Sequence, residues 1–507
     1  MWLEHLVRRG LERRPDAYAL RDRNRDVTWR RLHRDVHALA ARLAELVGPG
    51  DRIAVVSGNR VEVLETYLAC AVARVVAVPV NPALTDREID DILDSVEPAL
   101  LVAEPVHADR LRERRPDLPA LDITGIADLP PAAAEPSTSG ELGDPVAILH
   151  TSATTGKAKG VVVDQRSFKL NALSWLADVA PEPGTAFLNA GPLFHGSMVI
   201  ALDYLAAGAT VCVLDRFTPQ GCLAALERWG IEHAFLVPSM VRLVLDARGL
   251  ADADLSRLRL LLHGAAPMPA DLAAEAIERL GVDLGNVYGI TEGGGPAISS
   301  GPGTAPGEPA VPGAVCLGRP MLGTAARFVD EHGAPVAPGA VGELELRGDG
   351  LMQGYWKNPE ATADTVRDGW LRTKDLGYTG PDGLVWLVDR RNDLILRGGQ
   401  NVYPAEIEHV LRRSPNVADV VVVPVPDPIW GQTPVAFVQP TGPDAYDEAE
   451  LFDLCVAGLA AYKRPSRFLP IDLVPRNPAG KALRARLRDL ASETSGARPD
   501  AEVEQPR

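Results

Sequence analysis

The segment from His150 to Val161, HTSATTGKAKGV, is dense in groups that can bind phosphate. It follows apolar residues that predict a buried strand. Hydroxyl and backbone N–H groups can donate to phosphate oxygens, glycine permits close approach, and lysine supplies positive charge. We interpret the segment as a polyphosphate-binding loop, with a solvated turn as the alternative. Its spacing does not fit Gly-x4-Gly-Lys-Ser/Thr, which argues against an ordinary P-loop NTPase.

The composition indicates a globular protein of more than one domain. The chain has 507 residues, 46% of them hydrophobic and 24% charged. The net charge of −16 disfavours nucleic acid as the main partner. The five cysteines are scattered without a CxxC pair, so a reducing cytoplasm is predicted rather than a zinc site or disulfide framework. No apolar run is long enough to span a membrane, and acidic residues in the arginine-rich N-terminus favour mature protein over a transit peptide.

The apolar spacing predicts the elements that position this loop. Strands and helices alternate before the loop and again between about residues 165 and 295, which predicts parallel βαβ units. Thr85 and Glu88 predict a capping box at the start of one helix. Short strands after about residue 325 predict a small antiparallel barrel or sheet. A separate α+β unit follows from about residue 394.

Five motifs in order resemble those of the adenylate-forming superfamily, most closely acyl- and aryl-CoA synthetases. They are HTSATTGKAKGV at 150–161, NVYGITE at 286–292, DGWLRTKDL at 368–376, DRRNDLILRGGQNVYPAEIE at 389–408 and PRNPAGK at 475–481. The resemblance implies an α/β large N-terminal domain, residues 1–388, with two α/β sheet subdomains and a small β-barrel-like subdomain. A hinge at 389–393, a small mobile α+β C-terminal domain at 394–490 and a disordered tail at 491–507 complete the expected architecture.

The resemblance also implies where ATP and Mg²⁺ bind. Thr291 is expected to reach the α-phosphate, and Glu292 to bind Mg²⁺. Tyr288 is expected to pack on adenine, Asp375 to bind the ribose hydroxyls, and Arg390 to donate to the ribose or phosphate. The remaining ATP positions form the phosphate loop and the turn on the other side of adenine: Thr151, Ser152, Thr154, Thr155, Gly156 and Lys159, then Gly264, Ala265 and Ala266.

Lys481 is expected to catalyse adenylation, because its ammonium group would bridge the carboxylate and the α-phosphate. Thioester formation then needs CoA where Lys481 was, so the resemblance implies a rotation of the small domain. Asn392 takes the hinge position, which is usually Asp or Lys in the family.

The resemblance further implies an apolar acyl pocket without charged specificity groups, and a CoA site. His195 would gate the pocket, although a structural role for this histidine is the alternative. The other pocket positions are Met198, Met240, Gly289, Gly293 and Gly294. The expected CoA contacts are Gly398, Gly399, Trp430, Tyr462 and Arg464.

These assignments predict an ATP-dependent acyl-CoA synthetase for an aryl or medium-to-long acyl carboxylate. Small-molecule partners are expected, and a homodimer is left open. Two alternatives remain: an adenylate-forming enzyme with another acceptor or acid, such as amide ligation or nitrite activation, and a degenerate binding or scaffold homologue. Ala153 and Lys374 replace family glycines and are the only support for the second alternative.

Overall fold

Helices and strands alternate along the first half of the chain, as the apolar spacing predicts. The computed structural model describes residues 2–133, 140–151, 159–301, 304, 307–390, 393–398, 400–477 and 480–493. The elements up to residue 151 are α1 Trp2–Arg13, β1 Tyr18–Arg21, β2 Asp26–Thr28, α2 Trp29–Leu46, β3 Arg52–Val56, α3 Val61–Ala73, β4 Val76–Val80, α4 Asp86–Val96, β5 Leu100–Ala103, α5 Pro105–Arg112, β6 Ala120–Asp122 and β7 Pro145–Thr151.

The middle of the chain continues the same alternation. Its elements are β8 Lys159–Asp164, α6 Gln165–Asp178, β9 Ala186–Asn189, α7 Ser197–Ala206, β10 Thr210–Val213, α8 Pro219–Arg228, β11 His233–Phe235, α9 Pro238–Leu245, β12 Leu260–Gly264, α10 Ala270–Leu280, β13 Asp283–Ile290 and β14 Gly295–Ser299.

Short strands dominate the rest of the chain. These elements are β15 Val315–Pro320, β16 Ala325–Val329, β17 Gly342–Arg347, β18 Gly354–Tyr355, α11 Pro359–Thr365, β19 Val366–Arg367, β20 Trp370–Thr379, β21 Val385–Arg390, β22 Ile395–Arg397, β23 Gln400–Val402, α12 Pro404–Leu411, β24 Val417–Asp427, β25 Gly431–Pro440, α13 Glu448–Gly458, β26 Arg467–Pro470 and α14 Arg484–Glu493.

Two compact units divide these elements. Unit 1 contains Met1–Pro306, Leu317–Arg327 and Glu345–Thr373. Unit 2 contains Gly307–Cys316, Phe328–Leu344 and Lys374–Arg507.

Unit 1 is built on two mainly parallel sheets. One has the strand order β18-β8-β7-β4-β3-β5-β6, in which β7, β4, β3, β5 and β6 are parallel to their neighbours and β8 is antiparallel to β7. The other runs β14-β13-β12-β11-β9-β10-β1-β2 within this unit, and its strands from β13 to β1 are parallel. Parallel strands need crossover connections, which the intervening helices supply.

Local sequence signals fix several helix starts. The predicted capping box at Thr85 is confirmed, because its hydroxyl accepts from the Glu88 N–H while the Glu88 carboxylate accepts from the Thr85 N–H. Thr28 caps α2 in the same way, by accepting from the Arg31 N–H. These side chains satisfy N–H groups that have no partner within the helix.

The sheet of unit 2 separates two cores. Its strand order is β23-β22-β25-β24, with β26 parallel to β25. Val420 and Val422 of β24 pack with α12 and α13, whereas Val421 and Val423 pack with α14. This alternation follows from the two-residue period of a strand and explains why β24 is apolar on both faces.

Among the helices of the described ranges, none has both the length and the apolar character needed to cross a bilayer.

A buried ionic cluster joins three segments of unit 1: the turn between β1 and β2, α2 and α3. Arg25 donates to Glu62 at 2.9 Å, to Glu65 at 2.9 Å and to Asp35 at 2.8 Å. The Asp35 and Glu65 side chains are fully buried. Burial raises the pKa of Glu65 to about 7, although the Arg25 guanidinium opposes that effect.

Substitution Arg25→Met should destabilise the protein by about 3–5 kcal/mol, because it leaves buried carboxylates without their cation. Urea denaturation measures the free energy of unfolding. The control Arg112→Met removes an exposed pair with Asp109 and should cost about 1 kcal/mol or less. Equal losses in the two variants would contradict this ranking.

Lys374 has a left-handed backbone with φ of 63°. A side chain strains this conformation by about 1 kcal/mol or more, which explains why the family has glycine here. Lys374→Gly should therefore be about 1 kcal/mol more stable to urea than Lys374→Ala, which removes the charge but keeps the Cβ atom. If the two variants have the same stability, the backbone is not strained at this position.

Candidate functional site

The predicted phosphate loop connects two paired strands of unit 1. Thr151, at the end of β7, is the register partner of Lys159, at the start of β8. The seven residues between them, which include the predicted Ser152, Thr154, Thr155 and Gly156 as well as Ala153, lie outside the described residues. The hairpin pairing therefore fixes both ends of the loop.

His150 and Gly160 form the next pair of this hairpin. A Cβ atom on Gly160 would lie 2.6 Å from Ile148 Cγ2 and 3.3 Å from His150 Nε2, so the packing requires glycine. Burial lowers the pKa of His150 to about 4, which keeps its imidazole neutral at physiological pH. The base of the loop is consequently formed by tightly packed, uncharged residues.

The second sheet of unit 1 gathers the other predicted positions at one edge. The carboxyl ends of neighbouring parallel strands meet at the same edge of a sheet. His195 follows β9, Met240 follows β11, Gly264 ends β12, and Tyr288 lies near the end of β13. Because β9, β11, β12 and β13 are adjacent and parallel, these residues from distant parts of the sequence share that edge.

The predicted adenine-binding turn begins with tight packing between strands. A Cβ atom on Gly264 would lie 2.3 Å from the Val287 carbonyl oxygen. Ala265 follows with a left-handed backbone, φ 64°, and its side chain is exposed, while Ala266 is half-buried. Tyr288 is only 8% exposed, so most of its ring packs against the protein.

Thr291 and Glu292 lie in a short 3-10 turn, Thr291–Gly293, directly after β13. Both are half-buried. The Glu292 Oε1 atom accepts a hydrogen bond of 2.8 Å from the Tyr355 hydroxyl, and Lys159 Nζ lies 4.9 Å from the centre of the Tyr355 ring. Burial, followed by the Glu292 charge, raises the pKa of Tyr355. Tyr355 thus connects the predicted metal ligand to the predicted phosphate-binding lysine.

The predicted acyl-pocket residues differ in exposure. Met198 is fully buried in α7, Met240 is half-buried, and Gly289 is exposed. Burial lowers the pKa of His195, which favours its neutral form.

The glycines of this region are held by close contacts. A Cβ atom on Gly294 would lie 2.0 Å from the Gly350 carbonyl oxygen, and the Gly294 carbonyl accepts from Asn171 at 2.8 Å. Gly293 is buried beside it. Packing therefore restricts position 294 to a residue without a side chain, whereas a Cβ atom on Gly293 would lie in ordinary contact, 3.6 Å from Ile290.

Unit 2 brings together three predicted residues from separate segments. Asp375 and Arg390 are register partners on β20 and β21, with Arg390 Nε 3.0 Å from Asp375 Oδ1. The Asp375 side chain is 1% exposed, whereas that of Arg390 is 46% exposed. Lys481 lies within electrostatic range of both residues.

Lys481 occupies a well-defined turn. The Asn477 side chain accepts from the Lys481 N–H at 2.9 Å, and the Asn477 N–H donates to the Lys481 carbonyl at 2.9 Å. Burial and then the Arg390 charge lower the pKa of Lys481 to about 8, whereas Asp393 and Asp375 act in the opposite direction. The Lys481 ammonium group therefore loses its proton at a lower pH than an ordinary lysine does.

The segment predicted as a hinge is anchored on both sides, although Asn392 itself lies outside the described residues. Asp389 accepts from the Arg390 and Ala405 N–H groups at 2.7 and 3.2 Å. Burial raises the pKa of Asp389 to about 7. On the other side, Asp393 lies 3.5 Å from the half-buried Arg484.

Arg484 connects this segment to the sheet and to the turn of Lys481. It donates to Glu408 at 2.9 Å and to the Val422 carbonyl. The nearby Glu408, Asp389 and Asp393 carboxylates raise the pKa of Arg484 despite its burial. Because Arg484 begins α14 three residues after Lys481, its anchorage limits the movement of that turn.

The described positions of the predicted CoA site also converge, whereas Gly399 lies outside the described residues. Arg397 donates to the Tyr462 and Arg464 carbonyls at 3.1 Å each, and its guanidinium carbon lies 6.0 Å from the centre of the Trp430 ring. The Gly398 N–H donates to the Trp430 carbonyl at 2.8 Å. Trp430 is 51% exposed, so its ring has a free surface for a ligand.

The Arg464 guanidinium bonds to carbonyl groups near the end of α13, those of Leu459 and Val456 at 3.1 and 3.3 Å. Arg464 therefore caps a helix in this conformation.

Neither Tyr355 nor Arg484 carries a sequence signal for a role in the site. Tyr355 lies outside the five motifs, and nothing in its spacing relates it to Glu292, 63 residues earlier. Arg484 follows the PRNPAGK motif, and only its proximity to Lys481 marked it.

Comparison with known proteins identifies the family. The model described as AMP-binding enzyme matches residues 7–356, and the one described as AMP-binding enzyme C-terminal domain matches 406–481. The fatty acid–[acyl-carrier-protein] ligase ScoC of Streptomyces coeruleorubidus is 35% identical over 94% of this chain and 93% of its own length. A feruloyl-CoA synthase of an Amycolatopsis species is 34% identical over 94% and 96%.

The fold agrees with the family. The structure of ATP-bound MatB from Rhodopseudomonas palustris matches with a TM-score of 0.89 and 28% identity, and covers 97% of this chain and 99% of that one. The predicted fold class, with a large N-terminal α/β domain and a small C-terminal domain, is confirmed, and so is the enzyme class of AMP-forming acid–thiol ligases. The chain belongs to the AMP-binding enzyme family, the adenylate-forming superfamily that its five motifs resemble.

Proposed function

We propose that the protein activates an aryl or medium-to-long acyl carboxylate with ATP and transfers the acyl group to CoA. The carboxylate attacks the α-phosphorus, the bond to pyrophosphate breaks, and acyl-AMP forms. The CoA thiol then loses its proton and attacks the acyl carbonyl, which releases AMP. The assembly of Lys481, Asp375 and Arg390 in unit 2 is the observation that carries this proposal.

The proposed roles follow the charges of these residues. Asp375 accepts from the ribose hydroxyls, and Arg390, whose side chain is nearly half exposed, donates to the ribose or phosphate. Lys481 stabilises the negative charge that develops on the α-phosphate and orients the carboxylate. Its partial burial supports this role, because an ammonium group acts more strongly where water is scarce.

In unit 1, Thr291 contacts the α-phosphate, and Tyr288 with the Gly264–Ala266 turn holds adenine. Lys159 and the hydroxyl-rich loop residues bind the β- and γ-phosphates. Mg²⁺ commonly binds one or two carboxylates together with substrate phosphates, so the half-buried Glu292 is a suitable ligand. When bound, the metal neutralises phosphate charge that would otherwise repel the carboxylate.

The acid class is proposed from the predicted pocket. Met198, Met240 and the glycines 289, 293 and 294 are uncharged, and burial favours a neutral His195. Such a lining does not pair with a second charged group on the substrate, which argues against amino acids. Aryl and long acyl groups gain most from burial in an apolar site.

A carrier protein is the second candidate acceptor. The relative ScoC is named for ligation of a fatty acid to an acyl-carrier protein. CoA and a holo carrier protein present the same phosphopantetheine thiol, so both suit an acceptor site at Gly398. The half-exposed Trp430 ring favours CoA, because an exposed aromatic ring can stack on adenine.

Pyrophosphate release from Mg-ATP should be stimulated by one class of acid in a panel of aryl, short, medium and long carboxylates with nitrite. CoA should accelerate turnover, since it removes acyl-AMP. Parallel reactions with a holo acyl-carrier protein and with a simple amine distinguish the acceptors. No response to any carboxylate, or a response to nitrite alone, would contradict the proposed reaction.

The adenylation rate should fall as pH rises above about 8, because the pKa of Lys481 is about 8 and its charged form is required. The pH profile of kcat/KM for pyrophosphate release measures this, since it reports groups of the free enzyme. In Lys481→Arg the residual activity should lack this decline, because guanidinium stays protonated throughout the range. The same decline in both proteins would assign the titration to another group.

A further inference from the structure

Tyr355 contacts two predicted ligand-binding residues from separate segments of unit 1. Its hydroxyl donates to Glu292 Oε1 at 2.8 Å, and its ring faces Lys159 Nζ at 4.9 Å. The first contact depends on the hydroxyl group and the second on the ring. The two contacts can therefore be removed separately.

The backbone holds Tyr355 in place for this role. Tyr355 is the register partner of Val161 on β8, two residues after Lys159. Its N–H donates to the Thr362 hydroxyl at 2.9 Å, and that hydroxyl donates to the Asn358 carbonyl at 2.9 Å. The residue is 9% exposed. A side chain fixed by strand pairing and burial can orient its partners at little further entropic cost.

Glu292 is fixed at its backbone as well. Its carbonyl accepts from the Met352 N–H at 3.0 Å, three residues before Tyr355. The tyrosine bond engages Oε1 and orients the carboxylate, which leaves Oε2 available as a ligand. Carboxylates that bind metals are generally oriented by such hydrogen bonds, and removal of the donor typically weakens metal binding by about 10–100-fold.

We propose that Tyr355 is a positioning residue that orients the Glu292 carboxylate for the divalent cation and holds the Lys159 ammonium group for the polyphosphate of the same nucleotide. This inference rests on the proposed function, because it assumes that Glu292 binds the cation and Lys159 the phosphates. The new element is that one side chain, Tyr355, connects the cation site at Glu292 with the phosphate site at Lys159. Loss of the hydroxyl should affect the metal, and loss of the ring should also affect the phosphates.

The test compares Tyr355→Phe with Tyr355→Leu. Electron paramagnetic resonance of free Mn²⁺ measures metal affinity in the presence of ATP, and calorimetry measures ATP binding without metal. Tyr355→Phe should weaken Mn²⁺ binding about 10-fold or more while metal-free ATP binding stays unchanged, because the ring remains over Lys159. Tyr355→Leu should weaken both.

Tyr446→Phe is the matched control. It removes a tyrosine hydroxyl that donates to the Phe468 carbonyl at the same distance of 2.8 Å, in unit 2. Its metal and ATP affinities should match those of the wild type. A double variant with Glu292→Gln provides a second measure. If Tyr355 acts through Glu292, Tyr355→Phe should weaken Mn²⁺ binding much less in the Glu292→Gln background.

The outcomes separate this inference from the proposed function. If the wild type binds Mn²⁺-ATP and Tyr355→Phe binds it equally well, the positioning role is wrong. Additive losses in the double variant would also overturn it. If the wild type binds no ATP with or without metal, the proposed function itself fails.

Discussion

Parallel pairing of strands is the constraint on which the candidate site depends. In the large sheet of unit 1, the hydrogen bonds from β9 through β11 and β12 to β13 align the carboxyl ends of four strands. Each strand then delivers one short segment to the same edge. The chemistry requires residues far apart in sequence, and the parallel register of the strands brings them to one edge of the sheet. Glycine at 264 permits the close approach of β12 and β13 that this arrangement needs.

Buried charge is the second recurring principle, and it is used differently in the two units. Arg25 in unit 1 pairs with three buried carboxylates, and Arg484 in unit 2 pairs with the buried Glu408 and the half-buried Asp393. Such clusters contribute little net stability compared with apolar packing, but removal of one member is costly. The cluster around Arg25 joins segments of the scaffold. The cluster around Arg484 lies next to the predicted hinge and the turn of Lys481. Its ion pairs therefore help to determine the position of Lys481.

The sequence predicted the elements well where a local signal existed. The Thr85 capping box and the strand–helix alternation depend on local signals, and the structure contains both. The motifs are local as well, and the two family models match the chain over 7–356 and 406–481. The Tyr355–Glu292 bond could not be predicted in this way, since strand pairing between β8 and β18 determines it. The pKa of Lys481 likewise depends on burial and on Arg390, which lies 91 residues earlier in the sequence, so a local signal cannot predict it.

The departures from the family pattern illustrate the same limit. Lys374 is recognised in the sequence as a replacement of a family glycine, and its structural consequence lies in the backbone, at a φ of 63°. Composition cannot reveal a dihedral angle.

The hairpin of β7 and β8 has a consequence for how this enzyme can vary. Gly160 sits where any Cβ atom would lie 2.6 Å from Ile148, and only glycine fits there. If β8 slipped by one residue, Lys159 or Val161 would enter that position and every side chain of the strand would change faces. A change in the length of the intervening loop must therefore be accommodated between Thr151 and Lys159, because Gly160 sets the register of β8.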